Sequence, residues 1–427
     1  MASKAKTTVT FHSGVMTIGG TVIEVAYENA HVFFDFGTEF RPEIPLPNQD
    51  LETLLEYRLI PQLPGLYDSK LAGSQHDEEN FINTAVFISH VHLDHTKMIN
   101  YLDAKIPLYA LDATAKILPL LNRNGTFLLP ASGHENNFTR DIIGVAPQTE
   151  ISVGEISVKL VPVDHDAYGA CGLIITTPTA KLAYTGDLRL HGLQPENVWD
   201  FCQQAYHTDC LMIEGVSISF PERAEKSLSV CDSETELVER MARLVKNNPD
   251  RPITFNAYPA NPLRFLEMAK KISRTTVLTA DMAALLKELL QKDEHYYLNP
   301  GQITPSTLDP ALEVAYDCLL KEPEKYFWQV TQDFENLLNN TLYIHSDAEP
   351  LGDFDPAYAK FIDLLEKLGI EFVRLSCSGH ATPGDLNKIV SAIEPKLLVP
   401  IHSLHPEKLE NPFGERILPV RGQKIHF

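Results

Sequence analysis

The sequence lacks several features that would place it in a specialised class of protein. No apolar stretch is long enough to span a bilayer, and residues 1–20 do not form a charged and then apolar leader. We therefore expect a cytoplasmic protein. The 427 residues include only six cysteines and no C-x-x-C pair, which argues against a disulfide framework and against a cysteine zinc site.

Positive charge is also scarce. The chain has 36 Lys and Arg against 57 Asp and Glu, which gives a net charge of −21. Because a protein needs local positive charge to bind nucleic-acid phosphates, this composition does not indicate nucleic-acid binding. It does not exclude it either, since a bound pair of divalent cations would add positive charge that the count omits.

The chain instead contains the elements of two α/β modules. TVIEVAY (21–27) and HVFFDFG (31–37) predict a β-hairpin, and further strand-like runs follow in the first half. From about residue 219, helical and strand-like patterns alternate, which favours βαβ units and a parallel sheet. We predict one domain from residues 1–218 plus 376–427, and an inserted α/β domain over residues 219–375, because the ligand pattern of the first module resumes only after the insertion.

The stretch ISHVHLDH (88–95) places four metal-type ligands directly after a buried strand, namely His90, His92, Asp94 and His95. Histidine and carboxylate groups suit zinc and similar divalent metals. One metal could take His90 and His92, which lie two residues apart, and a second could take Asp94 and His95.

Three later strand-like runs also end on such residues: His165, Asp187 and His402. Sites in α/β sheets gather at strand ends, so we expect these side chains to converge on one edge. Asp187 has two oxygens and could bridge both metals. HSLHP also offers His405 as a rival to His402, and we prefer His402 because it directly follows its strand.

This order of ligands resembles the metallo-β-lactamase superfamily, whose fold is an αβ/βα sandwich. The early DFG (Asp35–Gly37) is similar to a turn near the start of that fold. The resemblance implies that one metal is bound by His90, His92 and His165, the second by Asp94, His95 and His402, with Asp187 bridging. It implies two divalent ions, Zn²⁺ with Mn²⁺ as the alternative, since the ligands suit both.

SDAEP (346–350), SGHA (378–381) and LVPIH (398–402), together with an inserted α/β domain, resemble the β-CASP branch of nucleases that includes ribonuclease J. Glu349, His380 and His402 match the three extra motifs of that branch. The resemblance implies hydrolysis of RNA phosphodiester bonds by a hydroxide that bridges two metals. Asp94 would both bind the second metal and orient the hydroxide. His380 would protonate the leaving oxygen or stabilise the transition state, and Glu349 would orient His380 or another ligand.

The SGHA stretch carries an independent sign of phosphate binding. Thr382 and Pro383 favour a helix start, so the preceding turn would present free amides to an anion. The predicted phosphate-binding residues are Ser378, Gly379, His380 and Ala381. Other candidate contacts to a nucleic-acid backbone are basic residues on the insertion and near the site: Lys270, Lys271, Arg274, Arg189 and Arg223.

Two other functions remain open. A superfamily hydrolase of a small ester, thioester or lactone would explain the metals and the acidity, but not the insertion or SGHA. A non-catalytic scaffold in RNA processing would be expected to have lost ligands, and here every expected ligand is present. Single-stranded RNA is the expected substrate, with DNA as an alternative. The motifs do not separate endonuclease from exonuclease action, and they leave the oligomeric state open.

Overall fold

The structure is a computed structural model that describes residues 6–39, 41, 43–63, 65–72, 83–220, 229–352 and 355–427. It divides into two compact units. Unit 1 comprises Met1–Ala224 and Gly379–Phe427, and unit 2 comprises Glu225–Ser378. Arg223, one of the candidate backbone contacts, lies outside the described residues.

Unit 1 contains a first seven-stranded sheet, sheet A, with the order β20-β1-β2-β3-β4-β5-β6. Strands β20, β1, β2 and β3 pair antiparallel, and β3 to β6 pair parallel. The predicted hairpin is therefore confirmed as β2 and β3. The strands are β1 (Thr8–Ser13), β2 (Val22–Tyr27), β3 (Ala30–Phe34), β4 (Asn83–Phe87), β5 (Leu108–Leu111), β6 (Ile143–Val145) and β20 (Lys424–His426). The helices along this part of the chain are α1 (Leu51–Glu56), α2 (Ser69–Ala72), α3 (Leu93–Thr96) and α4 (Asp112–Leu121).

The second sheet of unit 1, sheet B, has the order β19-β18-β11-β10-β9-β8-β7. Strands β7 to β10 pair antiparallel, whereas β10, β11, β18 and β19 pair parallel. The strands are β7 (Glu150–Val153), β8 (Ile156–Pro162), β9 (Cys171–Thr176), β10 (Lys181–Tyr184), β11 (Cys210–Glu214), β18 (Leu397–Ile401) and β19 (Glu415–Arg416).

The core of unit 1 lies between the two sheets. Val9 and Phe34 of sheet A pack in one buried cluster with Val158 and Leu173 of sheet B, as expected where side chains alternate between the two faces of a strand. The outer face of sheet B is covered by two amphipathic helices, α5 (Pro195–Gln204) and α11 (Pro383–Ile393). Helix α4 packs against β5 and β6 of sheet A. The predicted αβ/βα sandwich with an additional α/β unit is confirmed.

Sheet A also contains an acidic residue held between two histidines. Glu24 contacts His12 Nε2 at 2.9 Å and His31 Nδ1 at 2.6 Å through different carboxylate oxygens. Burial alone would raise the pKa of Glu24, but the hydrogen bonds and charges of His12 and His31 lower it to about 2.

Unit 2 is built on a six-stranded, fully parallel sheet with the order β14-β13-β15-β12-β16-β17. The predicted βαβ arrangement is thus confirmed. The strands are β12 (Ile253–Ala257), β13 (Thr275–Thr279), β14 (His295–Tyr297), β15 (Tyr326–Gln329), β16 (Leu342–Ser346) and β17 (Glu371–Arg374). The helices are α6 (Glu234–Asn247), α7 (Pro262–Lys271), α8 (Ala280–Leu290), α9 (Tyr316–Lys321) and α10 (Pro356–Lys367).

The start of α6 shows how the local sequence sets an element of unit 2. The Ser233 hydroxyl accepts a hydrogen bond from the Glu236 amide, as its capping pattern predicts. The Glu236 carboxylate in turn accepts from the amide of Asp232, one residue earlier than in an ideal capping box.

A buried ion network ties α6 to α7 within unit 2. The Arg264 guanidinium donates to both oxygens of Glu234, at 2.6 and 3.0 Å, and to Asp347 at 2.8 Å. Arg264 and Glu234 are fully buried. Breaking such a pair is costly because the remaining charge stays buried and unpaired.

Candidate metal centre

The candidate site lies where strands of unit 1 end. His90 follows β4, His165 follows β8, Asp187 follows β10 and His402 follows β18. Strands β10 and β18 run parallel to the intervening β11, and β8 has the same direction through two antiparallel pairings. Their carboxyl ends therefore share one edge of sheet B, as the strand-end argument requires.

The first ligand group consists of His90, His92, His165 and Asp187. One potential ligand atom from each residue lies within 4.8 Å of the others. His90 Nε2 is 3.6 Å from Asp187 Oδ2, and His165 Nε2 is 3.1 Å from His92 Nδ1. The structure thus brings together residues that are up to 97 positions apart, since 187 − 90 = 97.

The second ligand group consists of Asp94, His95, Asp187 and His402, again within 4.8 Å of one another. Asp187 Oδ2 is 3.3 Å from His95 Nε2, while Asp187 Oδ1 is 3.1 Å from His402 Nδ1. His402 Nε2 is 3.2 Å from Asp94 Oδ2. Asp187 belongs to both groups, in the position that a bridging carboxylate would need.

Several of these atoms are buried without a hydrogen bond of ordinary geometry. Among the described residues, this is the case for His90 Nε2, His95 Nε2 and Asp187 Oδ2. An unsatisfied buried polar atom is costly, and natural proteins keep few of them. Nitrogen and carboxylate atoms that face one another in this way fit a divalent metal, so the residues present form a suitable metal-binding cluster.

The carboxylate of Asp35 supports the cluster through hydrogen bonds. It is fully buried and accepts from the Ser89 amide at 2.7 Å, the Ser89 hydroxyl at 2.8 Å and the hydroxyl of Tyr184. Asp35 Oδ2 also lies 2.8 Å from His95 Nδ1. A carboxylate behind a ligating histidine fixes the ring and its tautomer, so Asp35 orients His95 towards the second ligand group.

Close backbone packing explains why the DFG turn ends in a glycine, Gly37. The Phe36 amide donates to the carbonyl oxygen of His95, so this turn runs directly against the ligand helix α3. A Cβ on Gly37 would overlap the Asp94 carbonyl oxygen. Only glycine allows the two backbones to approach so closely.

The histidines of the first ligand group favour the neutral form. Burial lowers the pKa of His90, His92 and His165, and that of His165 falls to about 3. Neutral imidazole is the form that binds a metal, so these rings need not lose a proton on binding.

The histidines of the second ligand group behave oppositely. Burial alone would lower their pKa, but Asp187 and the neighbouring carboxylates raise the pKa of His402 to about 10 and that of His95 well above its usual value. Without a metal, protons on these rings balance the carboxylates. Because a ligand must be deprotonated, metal binding to this group has to release protons.

His380 of unit 1 lies beside both groups. Its Nδ1 is 3.8 Å from Asp187 Oδ2 and 3.5 Å from Glu214 Oε2, and its side chain is 22% exposed. Burial would lower the pKa of His380, but Glu214 and Asp187 raise it above the usual value. The two carboxylates therefore favour protonation of this ring.

The carboxylate that contacts His380 is Glu214, which the sequence analysis did not single out. Glu214 is buried at the end of β11, and its Oε1 accepts from the Ala381 amide at 3.1 Å. Glu349, to which that orienting role was given, is an exposed residue of unit 2. Within unit 1, Glu214 is thus a carboxylate that can orient His380, and the same strand-end rule that selected Asp187 could have found it; the role given to Glu349 stays a prediction.

The turn predicted to bind phosphate is only partly available to an anion. The Thr382 hydroxyl caps α11 as predicted, by accepting from the Asp385 amide. The Ala381 amide already donates to Leu188 and Glu214, so the prediction that it is free is wrong. Ser378 belongs to unit 2, whereas Gly379 to Ala381 belong to unit 1.

His402 and its rival His405 differ clearly in placement. The side chain of His402 is buried within the second ligand group, whereas that of His405 is 46% exposed and contacts Glu407 at 3.0 Å. The preference for His402 as the residue of the cluster follows from this geometry.

Arg189 is not a surface contact for nucleic acid. It is 1% exposed, and its Nε donates to Asp164 Oδ1 at 3.1 Å. Its guanidinium also reaches the His165 carbonyl oxygen at 3.5 Å. Arg189 thus stabilises the loop that carries His165, and its prediction as a backbone contact is wrong.

Asp166, the residue after His165, is a second acidic group that the sequence analysis missed. Its Oδ1 is 3.3 Å from His165 Nε2 and 3.5 Å from His92 Nε2. Burial would raise the pKa of Asp166, but His165, His92 and Arg189 hold it well below the usual value. A carboxylate next to a predicted histidine ligand is a signal that could have marked it.

Comparisons with known proteins agree with this geometry. The family model of the β-lactamase superfamily domain matches residues 77–243. Ribonuclease J 2 of Streptococcus pyogenes serotype M3 is 22% identical over 342 residues, which are 74% of this chain, and the chain spans 58% of the length of that relative. A crystal structure of a protein of unknown function from Enterococcus faecalis V583 is 57% identical with a TM-score of 0.95, covering 99% of this chain and all of that one. None of the helices in the described residues has the length and apolar character to cross a bilayer.

Proposed function

Because the chain belongs to the β-lactamase superfamily and is similar to a ribonuclease J, we propose that it is a metal-dependent hydrolase of phosphodiester bonds in single-stranded RNA. The observation that carries this proposal is the placement of His380 within 4 Å of both Asp187 and Glu214. A protonated imidazole beside a metal cluster suits the departure of an alkoxide oxygen, which needs a proton. An RNA substrate also fits the cytoplasmic location that the sequence predicts.

We propose that the cluster holds two divalent ions, Zn²⁺ or alternatively Mn²⁺, one for each ligand group. When bound, the ions would activate water and neutralise charge that develops on the phosphoryl oxygens. His90, His92 and His165 would hold the first ion, and Asp94, His95 and His402 the second. Asp187 would contact both.

Side chains of the protein would donate the proton and orient the reacting groups. His380 directs Nδ1 towards Glu214 and Asp187, and its Nε2 would give a proton to the leaving oxygen. Glu214 holds His380 in that orientation and favours its protonated form. Asp94 keeps 25% of its side chain exposed and would orient the attacking water.

Unit 2 supports the nuclease assignment over a general hydrolase. We propose that it corresponds to the inserted β-CASP-like domain, for which the sequence predicts bounds of 219–375. Its parallel sheet is an addition to the two-sheet sandwich that already carries the complete cluster. A hydrolase of small molecules has no evident need for this addition.

A second candidate is hydrolysis of a small ester, thioester or lactone. It is favoured by one observation: Asp166 and Glu214 place negative charge around Gly379 and Ala381, where an incoming phosphate would meet repulsion. A bound pair of divalent cations would offset that charge for a phosphodiester, so we rank this function second.

One experiment separates the two functions. Protein loaded with Zn²⁺ or Mn²⁺ is given 5′-labelled single-stranded RNA, the matching DNA, and a panel of small esters, thioesters and lactones. We expect RNA cleavage, and turnover of the esters without cleavage of nucleic acid would refute the nuclease assignment. RNA with either a 5′ triphosphate or a 5′ monophosphate is then compared, and the lengths of the products distinguish endonuclease from exonuclease action.

Three variants test the roles of the residues in the same assay. His92→Ala and Asp187→Ala are expected to abolish cleavage and to lower the bound metal. His380→Ala is expected to retain the metal and to lose about 10²- to 10⁴-fold in rate, the usual contribution of an acid–base residue. His405→Ala is the matched control and should behave as wild type. An unchanged rate in His380→Ala would remove this residue from the mechanism.

A further inference from the structure

The side chain of Asp166 has a position that the proposed reaction does not explain. It is only 14% exposed, and its Oδ1 is buried with no hydrogen bond of ordinary geometry among the described residues. This oxygen faces the rings of His92 and His165. It lies beside the first ligand group rather than within it, because the four mutually close ligand atoms do not include it.

The other histidines of the cluster show what such a position can mean. His90, His95 and His165 each direct one ring nitrogen into the cluster and the other to a fixed partner. Nδ1 of His90 lies 2.9 Å from the Ser89 hydroxyl, Nδ1 of His165 lies 2.5 Å from the Gly379 carbonyl oxygen, and Nδ1 of His95 lies 2.8 Å from Asp35. Such partners fix the tautomer and the ring orientation of a metal ligand.

His92 is turned the other way. Its Nδ1 lies 3.1 Å from His165 Nε2 and so faces the first ligand group. The nitrogen directed towards Asp166 is Nε2, 3.5 Å from Oδ1. Asp166 thus lies on the Nε2 side of His92, opposite the nitrogen that faces the ligand group.

We propose that Asp166 is the positioning residue for His92, and that it accepts a hydrogen bond from Nε2–H so that Nδ1 is presented to the metal. The inference rests on the metal binding of the proposed function. Unlike the Ser89 hydroxyl and the Gly379 carbonyl, Asp166 brings a full charge, which makes the ring a stronger donor. His92 would then be the tightest histidine ligand of the first group.

Packing holds the Asp166 carboxylate in this place. A Cβ on Gly379 would overlap Asp166 Oδ1, so a side chain at position 379 would push the carboxylate away from the two rings. On the other side, the Arg189 guanidinium reaches the carbonyl oxygen of His165, the residue next to Asp166. Gly379 therefore has a role that differs from phosphate binding: it leaves room for the partner of His92.

The test measures metal affinity and the state of the His92 ring, without an activity assay. Metal-free wild type, Asp166→Ala, Asp166→Asn and the control Asp209→Asn are titrated with Zn²⁺ against a chromophoric chelator. Asp209 is a partly exposed carboxylate paired with Lys396. We expect about a 10- to 100-fold loss of affinity in Asp166→Ala, a smaller loss in Asp166→Asn and none in the control.

Nitrogen NMR of the histidine rings supplies the readout that a merely structural role would not change. Zinc-loaded wild type and Asp166→Asn should show His92 with the proton on Nε2, whereas Asp166→Ala should show exchange of this proton with solvent. Asp166→Asn keeps the size of the side chain, so it covers the case in which Asp166→Ala fails to fold.

Two negative results have different meanings. If wild type does not bind Zn²⁺, the metal assignment fails and this inference fails with it. If wild type binds Zn²⁺ while both Asp166 variants match it in affinity and in the His92 signal, only the role of Asp166 is overturned.

Discussion

Replacing Asp35 by asparagine should weaken both the fold of unit 1 and its metal binding. Three donors converge on Oδ2 of Asp35, and the Ser89 amide reaches Oδ1 at 2.7 Å. An asparagine can keep its oxygen at the Oδ2 position only by turning its NH₂ group onto the Ser89 amide. In either orientation of the amide, at least one buried donor is left without an acceptor, which costs about 1–3 kcal/mol of stability.

The effect on the metal follows from His95. With a neutral amide behind its Nδ1, this ring loses the charged partner that fixes its orientation. The loss of such a partner typically lowers metal affinity by about 10- to 100-fold, which corresponds to about 1.4–2.8 kcal/mol. The expected changes in folding and in binding are therefore similar in size but have separate causes.

The two changes are measured separately. Urea denaturation of the chelator-treated protein gives the free energy of unfolding, and competition with a chromophoric chelator gives the affinity for Zn²⁺. Tyr184→Phe is the matched control, because it removes one donor and keeps the carboxylate charge, and we expect a loss of about 0.5–1.5 kcal/mol in stability with nearly unchanged affinity. Wild-type values for Asp35→Asn in both measurements would refute the reasoning.

Three further predictions concern other parts of the molecule. His402→Ala should reduce bound metal to about one ion per chain, whereas His405→Ala should keep the wild-type content; elemental analysis decides, and equal losses would contradict the assignment. Glu234→Ala should destabilise unit 2 by up to about 3–5 kcal/mol, since the buried Arg264 loses two charge-assisted hydrogen bonds and keeps Asp347 as a carboxylate partner, and an unchanged urea midpoint would show that the contact with Glu234 is dispensable. The pKa of Glu24 is lowered from 4.5 to about 2, so its carboxylate should add up to about 3 kcal/mol to the free energy of unfolding above pH 4.5. This contribution should be lost as the pH falls towards 2. In Glu24→Gln that part of the acid dependence should vanish, and an acid limb identical to wild type would argue against it.

The parts of the fold that could be predicted from the sequence are those that local signals determine. Ser233 and Thr382 mark helix starts because a hydroxyl before the first turn satisfies amides that have no other partner. Strands that end on a histidine or aspartate predicted the cluster, because the carboxyl ends of strands that run in the same direction meet at one edge of a sheet. His90 and His402 could therefore be placed together although more than 300 residues separate them, since 402 − 90 = 312.

What could not be predicted depends on contacts between distant side chains. Arg189 looks like any basic residue in the sequence, and only the folded loop shows that it is buried against Asp164. Glu214 ends a strand as Asp187 does, but its role appears only once His380 lies beside it. Glu349 was selected by its motif, and its role stays a prediction.

The order of ligands along the chain has a consequence for how the protein is made. Unit 2 is one continuous segment, while unit 1 is assembled from sequence before and after it. During synthesis, the early ligands and Asp187 must wait until all of unit 2 has emerged before His402 can join them. Binding of the cations would then stabilise the part of sheet B that is synthesised last. Chelation should accordingly increase amide exchange first in β18 and α11, and leave the sheet of unit 2 protected.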